Sequence, residues 1–184
     1  MGRDAVAKAL PSVFARLVDR LPGGLIESLR EQYTRIAPLD KEVSNIERRL
    51  REWYRDDESC RRISAIPGVG LLTATATVAA MGDPGAFSSG REFAAWLGLV
   101  PRQTGTGGRV KLLGISKRGD RYLRTLFIHG ARSVLMTSKT PPAWVANLAK
   151  RRPLMALANK MARTLWALLA HQRAFQSGYV SRPA

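Results

Sequence analysis

The stretch that decides how this chain is read is Gly98-Leu-Val-Pro-Arg-Gln-Thr-Gly-Thr-Gly-Gly-Arg-Val-Lys-Leu-Leu-Gly-Ile-Ser-Lys-Arg-Gly-Asp-Arg-Tyr-Leu-Arg124. The apolar periodicity found on either side stops here. Gly105, Gly107 and Gly108 let the backbone take positive φ and come close to a partner. Arg102, Arg109, Lys111, Lys117, Arg118, Arg121 and Arg124 surround that permissive backbone, and Asp120 stands nearly alone against them. A flexible, hydroxyl-bearing loop in a cationic setting suits contact with phosphates. Arg109-Val110-Lys111-Leu112-Leu113 alternates basic and apolar residues, which predicts a short strand or extended arm inside a Gly-rich basic loop or short hairpin.

Helices are expected on both sides of this loop. Asp120 caps one that runs to about Thr137, with Leu123, Phe127, Ala131, Val134 and Leu135 facing inward and Lys117, Arg121, Arg124 and Arg132 nearer the loop. His129 on it reads as a satisfied structural histidine. Thr140-Pro141-Pro142 opens a short helix around Trp144, Val145 and Leu148. A last long helix after Pro153 buries Leu154, Leu157, Met161, Leu165, Leu168 and Leu169, with Trp166 also in the core. Before the loop, Ser89 caps a helix from Arg91 to Leu97, with Glu92 at capping-box spacing and Trp96 as a core anchor.

Further upstream, a short charged helix over 56–65 leads into Ile66-Pro67-Gly68-Val69-Gly70 and a second helix from Leu71 to Met81. Helix, Pro-Gly-Val-Gly, helix is the pattern of a helix-hairpin-helix unit. Gly68 and Gly70 permit the tight turn, and amides exposed at the second helix's start can hold a DNA phosphate. A plain αα-turn inside the core is the competing reading.

From Leu25 to Tyr54 the residues Leu29, Tyr33, Ile36, Leu39, Val43, Ile46, Leu50 and Trp53 recur at steps of three and four, with one slip near Pro38. Charged residues fill the positions between, which predicts a coiled-coil or helical arm able to pair with a second copy. Pro38 is expected to kink the arm or divide it. A first helix over 4–20 is expected to be interrupted at Pro11, and Leu21-Pro22-Gly23-Gly24 to break the chain. The fold class is therefore mainly α. A residual N-terminal helix and break occupy 1–24, the arm 25–57, a compact helical domain 58–176 and a tail 177–184.

A chain of 184 residues with 45% hydrophobic content can bury a core. Its 30 Lys and Arg against 14 Asp and Glu give a formal net charge of +16, and the sequence pI is about 11.3. Such a balance points to a polyanionic partner, with nucleic acid ahead of anionic membrane. The lone Cys60 excludes a disulfide framework within one chain and argues against a cysteine zinc site. No apolar stretch is long enough to span a bilayer and no signal peptide precedes the first helix, so a soluble, cytoplasmic protein is expected.

Cutting nucleic acid needs clustered carboxylates that hold divalent metal or an activated hydroxyl. Most acidic residues lie on the arm beside basic neighbours, and no acidic set recurs at a metal-cage spacing. Thr104, Thr106 and Ser116 are the hydroxyls in the cationic stretch, and no histidine or free carboxylate is adjacent to serve as base.

Three blocks carry a family resemblance: Ile-Pro-Gly-Val-Gly at 66–70, Phe-Ser-Ser-Gly-Arg-Glu-Phe-Ala-Ala-Trp-Leu-Gly-Leu-Val-Pro-Arg-Gln at 87–103, and Gly-Ile-Ser-Lys-Arg-Gly-Asp-Arg-Tyr-Leu-Arg at 114–124. In this order they resemble the C-terminal half of the bridge-RNA-guided insertion-sequence transposases, over residues 25 to about 179. The resemblance implies a full-length enzyme with an N-terminal RuvC-like domain of acidic ligands for Mg2+, then a coiled coil and a helical transposase domain with a nucleophilic serine. It also implies a homo-oligomer that holds DNA and a structured guide RNA. Two departures stand out. The acidic ligands have no counterparts in these residues, so the chain is expected to be a C-terminal piece, inactive alone. After Gln103 the expected serine is replaced by Thr104-Gly105-Thr106, which makes Thr104, then Thr106, the positional matches. Threonine keeps a hydroxyl but its methyl restricts χ1 and crowds an in-line attack. A stand-alone architectural or regulatory DNA-binding protein is the reading from another class.

Overall fold

The structure is a computed structural model that describes residues 2–105, 111–137 and 153–177. It is mainly helical, in the order α1 (Arg3–Leu17), α2 (Gly23–Thr34), α3 (Ile36–Asp56), α4 (Glu58–Ser64), α5 (Leu71–Met81), a 3-10 turn (Pro84–Ala86), α6 (Gly90–Trp96), β1 (Pro101–Thr104), β2 (Lys111–Ile115), α7 (Arg121–Thr137) and α8 (Pro153–Ala170). Two compact units divide these elements, one over 1–49 and one over 50–184.

In the first unit α1 packs on α2. Phe14 and Ile26 are buried there, and the Phe14 ring meets Tyr33 edge-on at a centroid distance of 6.0 Å. Two expectations need correction. The first helix is not interrupted at Pro11 but runs through it, forfeiting only the hydrogen bond that a proline nitrogen cannot donate. Nor does Pro38 divide the arm: the break falls earlier, between Thr34 and Ile36, and Pro38 sits in the first turn of α3. A first-turn nitrogen has no intrahelical acceptor, so proline is tolerated there. α3 has no buried residue, and Leu39, Val43, Ile46 and Trp53 are all exposed along it, Leu39 at 54%.

The second unit holds the larger core. Cys60, Ile63, Ile66, Phe93, Leu97, Phe127, Leu157, Met161 and Leu165 are fully enclosed. α8 supplies the central stripe, and α6 and α7 pack against it. Asp57 caps α4, accepting from the Cys60 amide at 2.7 Å, so the helix predicted over 56–65 starts at Glu58. Burial, then the neighbouring Asp57 carboxylate, pushes the Cys60 thiol up to about 12, which makes it a packed hydrophobe and not a nucleophile. Thr73, Thr75 and Thr77 of α5 are buried. The hydroxyls of Thr75 and Thr77 donate to the Leu71 and Thr73 carbonyls one turn back. α6 begins as the spacing predicts, with the Ser89 hydroxyl accepting from the Glu92 amide. Glu92 reaches one residue past the capping-box position, accepting from the Ser88 amide and hydroxyl at 2.7 and 2.6 Å.

Trp96 is not the core anchor expected. It is 38% exposed at the edge of an aromatic trio with Phe87 and Phe93. Trp166 is half-buried and donates its indole N–H to the Pro84 carbonyl at 3.0 Å. His129 is exposed on α7. The helix expected around Trp144 lies outside the described residues.

Two glycine pairs hold the second unit at close quarters. Gly68 has φ +86 and a Cβ there would overlap the Gly130 carbonyl of α7, while a Cβ on Gly130 would overlap the Gly68 carbonyl. At the other end Gly98 (φ +72) abuts the Arg118 carbonyl and Gly119 (φ +99) the Trp96 carbonyl. Gly119→Ala combines a left-handed backbone with a backbone overlap, so it should destabilise the chain by more than about 2 kcal/mol in urea unfolding. A separate check concerns pH. Hydrogen bonds from Ser88 hold the Glu92 carboxyl below its usual value of 4.5, so its stabilising contribution exists above that value and is lost as pH falls through the depressed pKa. Glu92→Ala should therefore lower Tm near neutral pH, and the gap to the native chain should close at acid pH.

Candidate nucleic-acid interface

β1 and β2 form an antiparallel hairpin pairing Pro101 with Ile115, Gln103 with Leu112 and Thr104 with Lys111, with a register irregularity between Pro101 and Gln103. The short hairpin read from the basic and apolar alternation is thus present. Its base is tied to the helices by backbone bonds: Leu99 N–H donates to the Ala94 carbonyl at 3.0 Å, Ser116 N–H to Val100 at 2.8 Å, and Lys117 N–H to Gly98 at 3.3 Å. Asn159 of α8 donates to the Leu99 carbonyl at 3.3 Å. Asp120 caps α7 as predicted, accepting from the Leu123 amide at 2.7 Å.

Arg124 completes this junction. It is 9% exposed, and its Nη1 donates to the Leu97 carbonyl at 3.1 Å, tying α7 to the end of α6. The sequence placed it nearer the loop among surface cations, whereas the structure buries it one turn into α7, where the helix faces the hairpin base. Arg102, Lys117, Arg118 and Arg121 are exposed. Lys117 adopts a left-handed backbone at φ 55, which is unfavourable for a residue with a Cβ. Arg102, Lys117 and Arg124 share a cavity of about 570 Å³ with Gly114, Ile115, Ser116, Ile128 and Met155.

Gly70 is exposed at the start of α5, whereas Gly68 is half-buried against Gly130. Thr104 is exposed at the end of β1. Lys111 lies in β2 opposite it. Thr106 and Arg109 fall outside the described residues. Ile128, Met155 and Asn159 were missed by the sequence reading. Gly130 offered a signal, since a glycine inside a helical pattern marks a close approach or a weak point. Among the described residues no three His, Cys, Asp or Glu side chains gather to hold a metal ion. No helix among them is long and apolar enough to cross a membrane.

The chain is similar to several known transposases. The chain is 44% identical over 96% of its length to a probable family 20 transposase of Pseudomonas aeruginosa. It is 40% identical over 92% of its length to the transposase for insertion sequence element IS1111A of Coxiella burnetii. A third relative is the transposase for insertion sequence element IS1328 of Yersinia enterocolitica, at 37% identity over 84% of this chain. Residues 60–146 match the model described as Transposase IS116/IS110/IS902 family. This stretch contains the hairpin, the glycine pairs and every cation of the cavity. The chain spans about half the length of these relatives, at 55%, 49% and 49%.

Arg124 is placed here as a structural tie as well as a cavity wall. Replacing it with alanine removes a hydrogen bond from a charged donor, a loss of about 1.5–3 kcal/mol, and should also weaken packing at the Leu97 turn. Thermal denaturation of Arg124→Ala beside Arg118→Ala checks this, with the exposed Arg118 expected to leave stability within about 0.5 kcal/mol.

Proposed function

We propose that this chain is the nucleic-acid-binding part of an insertion-sequence transposase, holding DNA and a structured guide RNA for DNA transposition. The observation that carries the reading is the cationic face at the hairpin base of a transposase domain, where Arg102, Lys117, Arg118 and Arg121 stand exposed. No ion pair to these four is formed among the described residues. Phosphate contacts of this kind position a strand and make its binding salt-dependent. Gly70 at the start of α5 adds an exposed backbone amide of the helix-hairpin-helix type.

The exposed stripe of Leu39, Val43, Ile46 and Trp53 on α3 keeps the coiled-coil spacing, and it is the surface by which two copies would pair. Thr104, with Thr106 beyond the described residues, stands where the family resemblance calls for a nucleophilic serine. Among the described residues the donor set offers no metal cage, which supports the reading that strand cleavage belongs to a larger assembly and that this chain is inactive by itself.

Fluorescence anisotropy on insertion-sequence ends tests the binding. Affinity should fall steeply with salt, and Arg118→Ala or Arg121→Ala should each reduce the log–log salt slope by about 1. Preference for cognate guide RNA over scrambled RNA separates this reading from a stand-alone architectural binder, which would show none. Efficient cutting of cognate ends by the purified chain with magnesium would sink the claim of inactivity. Analytical ultracentrifugation should give a dimer that Val43→Glu with Ile46→Glu returns to monomer.

A further inference from the structure

We propose that the cavity between the hairpin and helices α7 and α8 receives one unpaired nucleotide of the bound strand, phosphate against its cations and base against its apolar wall. The inference deepens the nucleic-acid reading and rests on it. The cavity measures about 570 Å³, which is far more than a phosphate group needs and within the range of small-ligand sites.

One wall is cationic. Arg102 from β1, Lys117 from the turn after β2 and Arg124 from α7 all line it. Arg124 is the telling member, because it is 9% exposed and its recorded partner is a neutral carbonyl, that of Leu97. No carboxylate pairs with it among the described residues. A guanidinium has five N–H donors. Arg124 lines the cavity, which leaves the donors not spent on Leu97 available to a ligand there. A buried cation with no counter-charge is unfavourable until an anion arrives, and a planar fork suits two phosphate oxygens.

The other part of the lining is apolar. Ile115, Ile128 and Met155 come from β2, α7 and α8, and each is only half-buried. A free phosphate would satisfy the cations and leave this wall wet. A paired duplex would offer phosphates, but its bases stay stacked inside. A nucleotide turned out of its stack meets both walls at once, since every base has an apolar face that packs on such side chains.

The experiment uses the full chain and three probes: a duplex with one bulged adenosine, the fully paired duplex, and the bulged duplex with an abasic site in place of the adenosine. The bulged duplex should bind about tenfold more tightly than the paired one, and the abasic version should lose that gain. Met155→Glu, with its circular dichroism compared to the native chain, should bring the bulged-to-paired ratio close to one. Because the abasic comparison needs no variant, it stands even where Met155→Glu fails to fold. In competition, adenosine 5′-monophosphate should displace the bulge far better than inorganic phosphate, yet bind much more weakly than the bulged strand. Equal affinity for bulged and paired duplexes, or no loss on removing the base, overturns this inference and leaves the proposed function in place. Inorganic phosphate competing as well as the nucleotide reduces the cavity to an anion site and also overturns it. A free nucleotide that binds as tightly as the strand, or that binds when no strand does, rejects the strand as occupant, and the latter result removes the proposed function too.

Discussion

The structure of the second unit depends on a backbone-to-backbone approach at the base of the hairpin. Gly98 lies against the Arg118 carbonyl and Gly119 against the Trp96 carbonyl, so the chain entering β1 and the chain leaving β2 are locked together. A side chain at either place would push the strands off the end of α6. Arg124 reaches into the same junction and donates to the Leu97 carbonyl. Positive-φ glycines and a buried guanidinium thus do one job: they give a two-stranded ribbon, weak by itself, a rigid foundation.

That foundation explains where the charge sits. A hairpin fixed at its base carries Arg102 beside Lys117 and Arg118, and the first turn of α7 adds Arg121. Like charges held this close repel one another, and the arrangement is tolerated because the exposed groups are solvated and screened. Arg124 lacks that relief and lies against a carbonyl dipole instead. Structural support and the proposed ligand contact therefore meet in one residue. The second glycine contact, Gly68 with Gly130, acts at a distance from this face by seating the Pro-Gly-Val-Gly turn on α7.

Much of this was legible in order of residues alone. The caps at Ser89 and Asp120 sit where short polar side chains precede apolar runs, and their hydrogen bonds are local. The α8 stripe followed from 3.6-residue spacing, and Met161 and Leu165 are indeed enclosed. Misreadings cluster where a residue's fate depends on distant partners. Trp96 looked like core from its size and neighbours, but α6 is short and its last residue stands at the rim. Pro11 looked like a break, yet a helix packed along one face survives the loss of one bond.

The sequence by itself determined the mainly helical class, the capped starts of α6 and α7 and the basic character of the hairpin, and its summed charge set the expectation of a polyanionic partner. These follow from local periodicity, capping chemistry and summed charge, which need no knowledge of what lies across the fold. Only the tertiary structure decided which of the clustered cations is buried, that Gly68 meets Gly130, and that Ile128 and Met155 line one cavity with Arg102. Those contacts join residues far apart in the chain. Their pairing is set by how α7 and α8 pack around a shared core, and no local pattern records that.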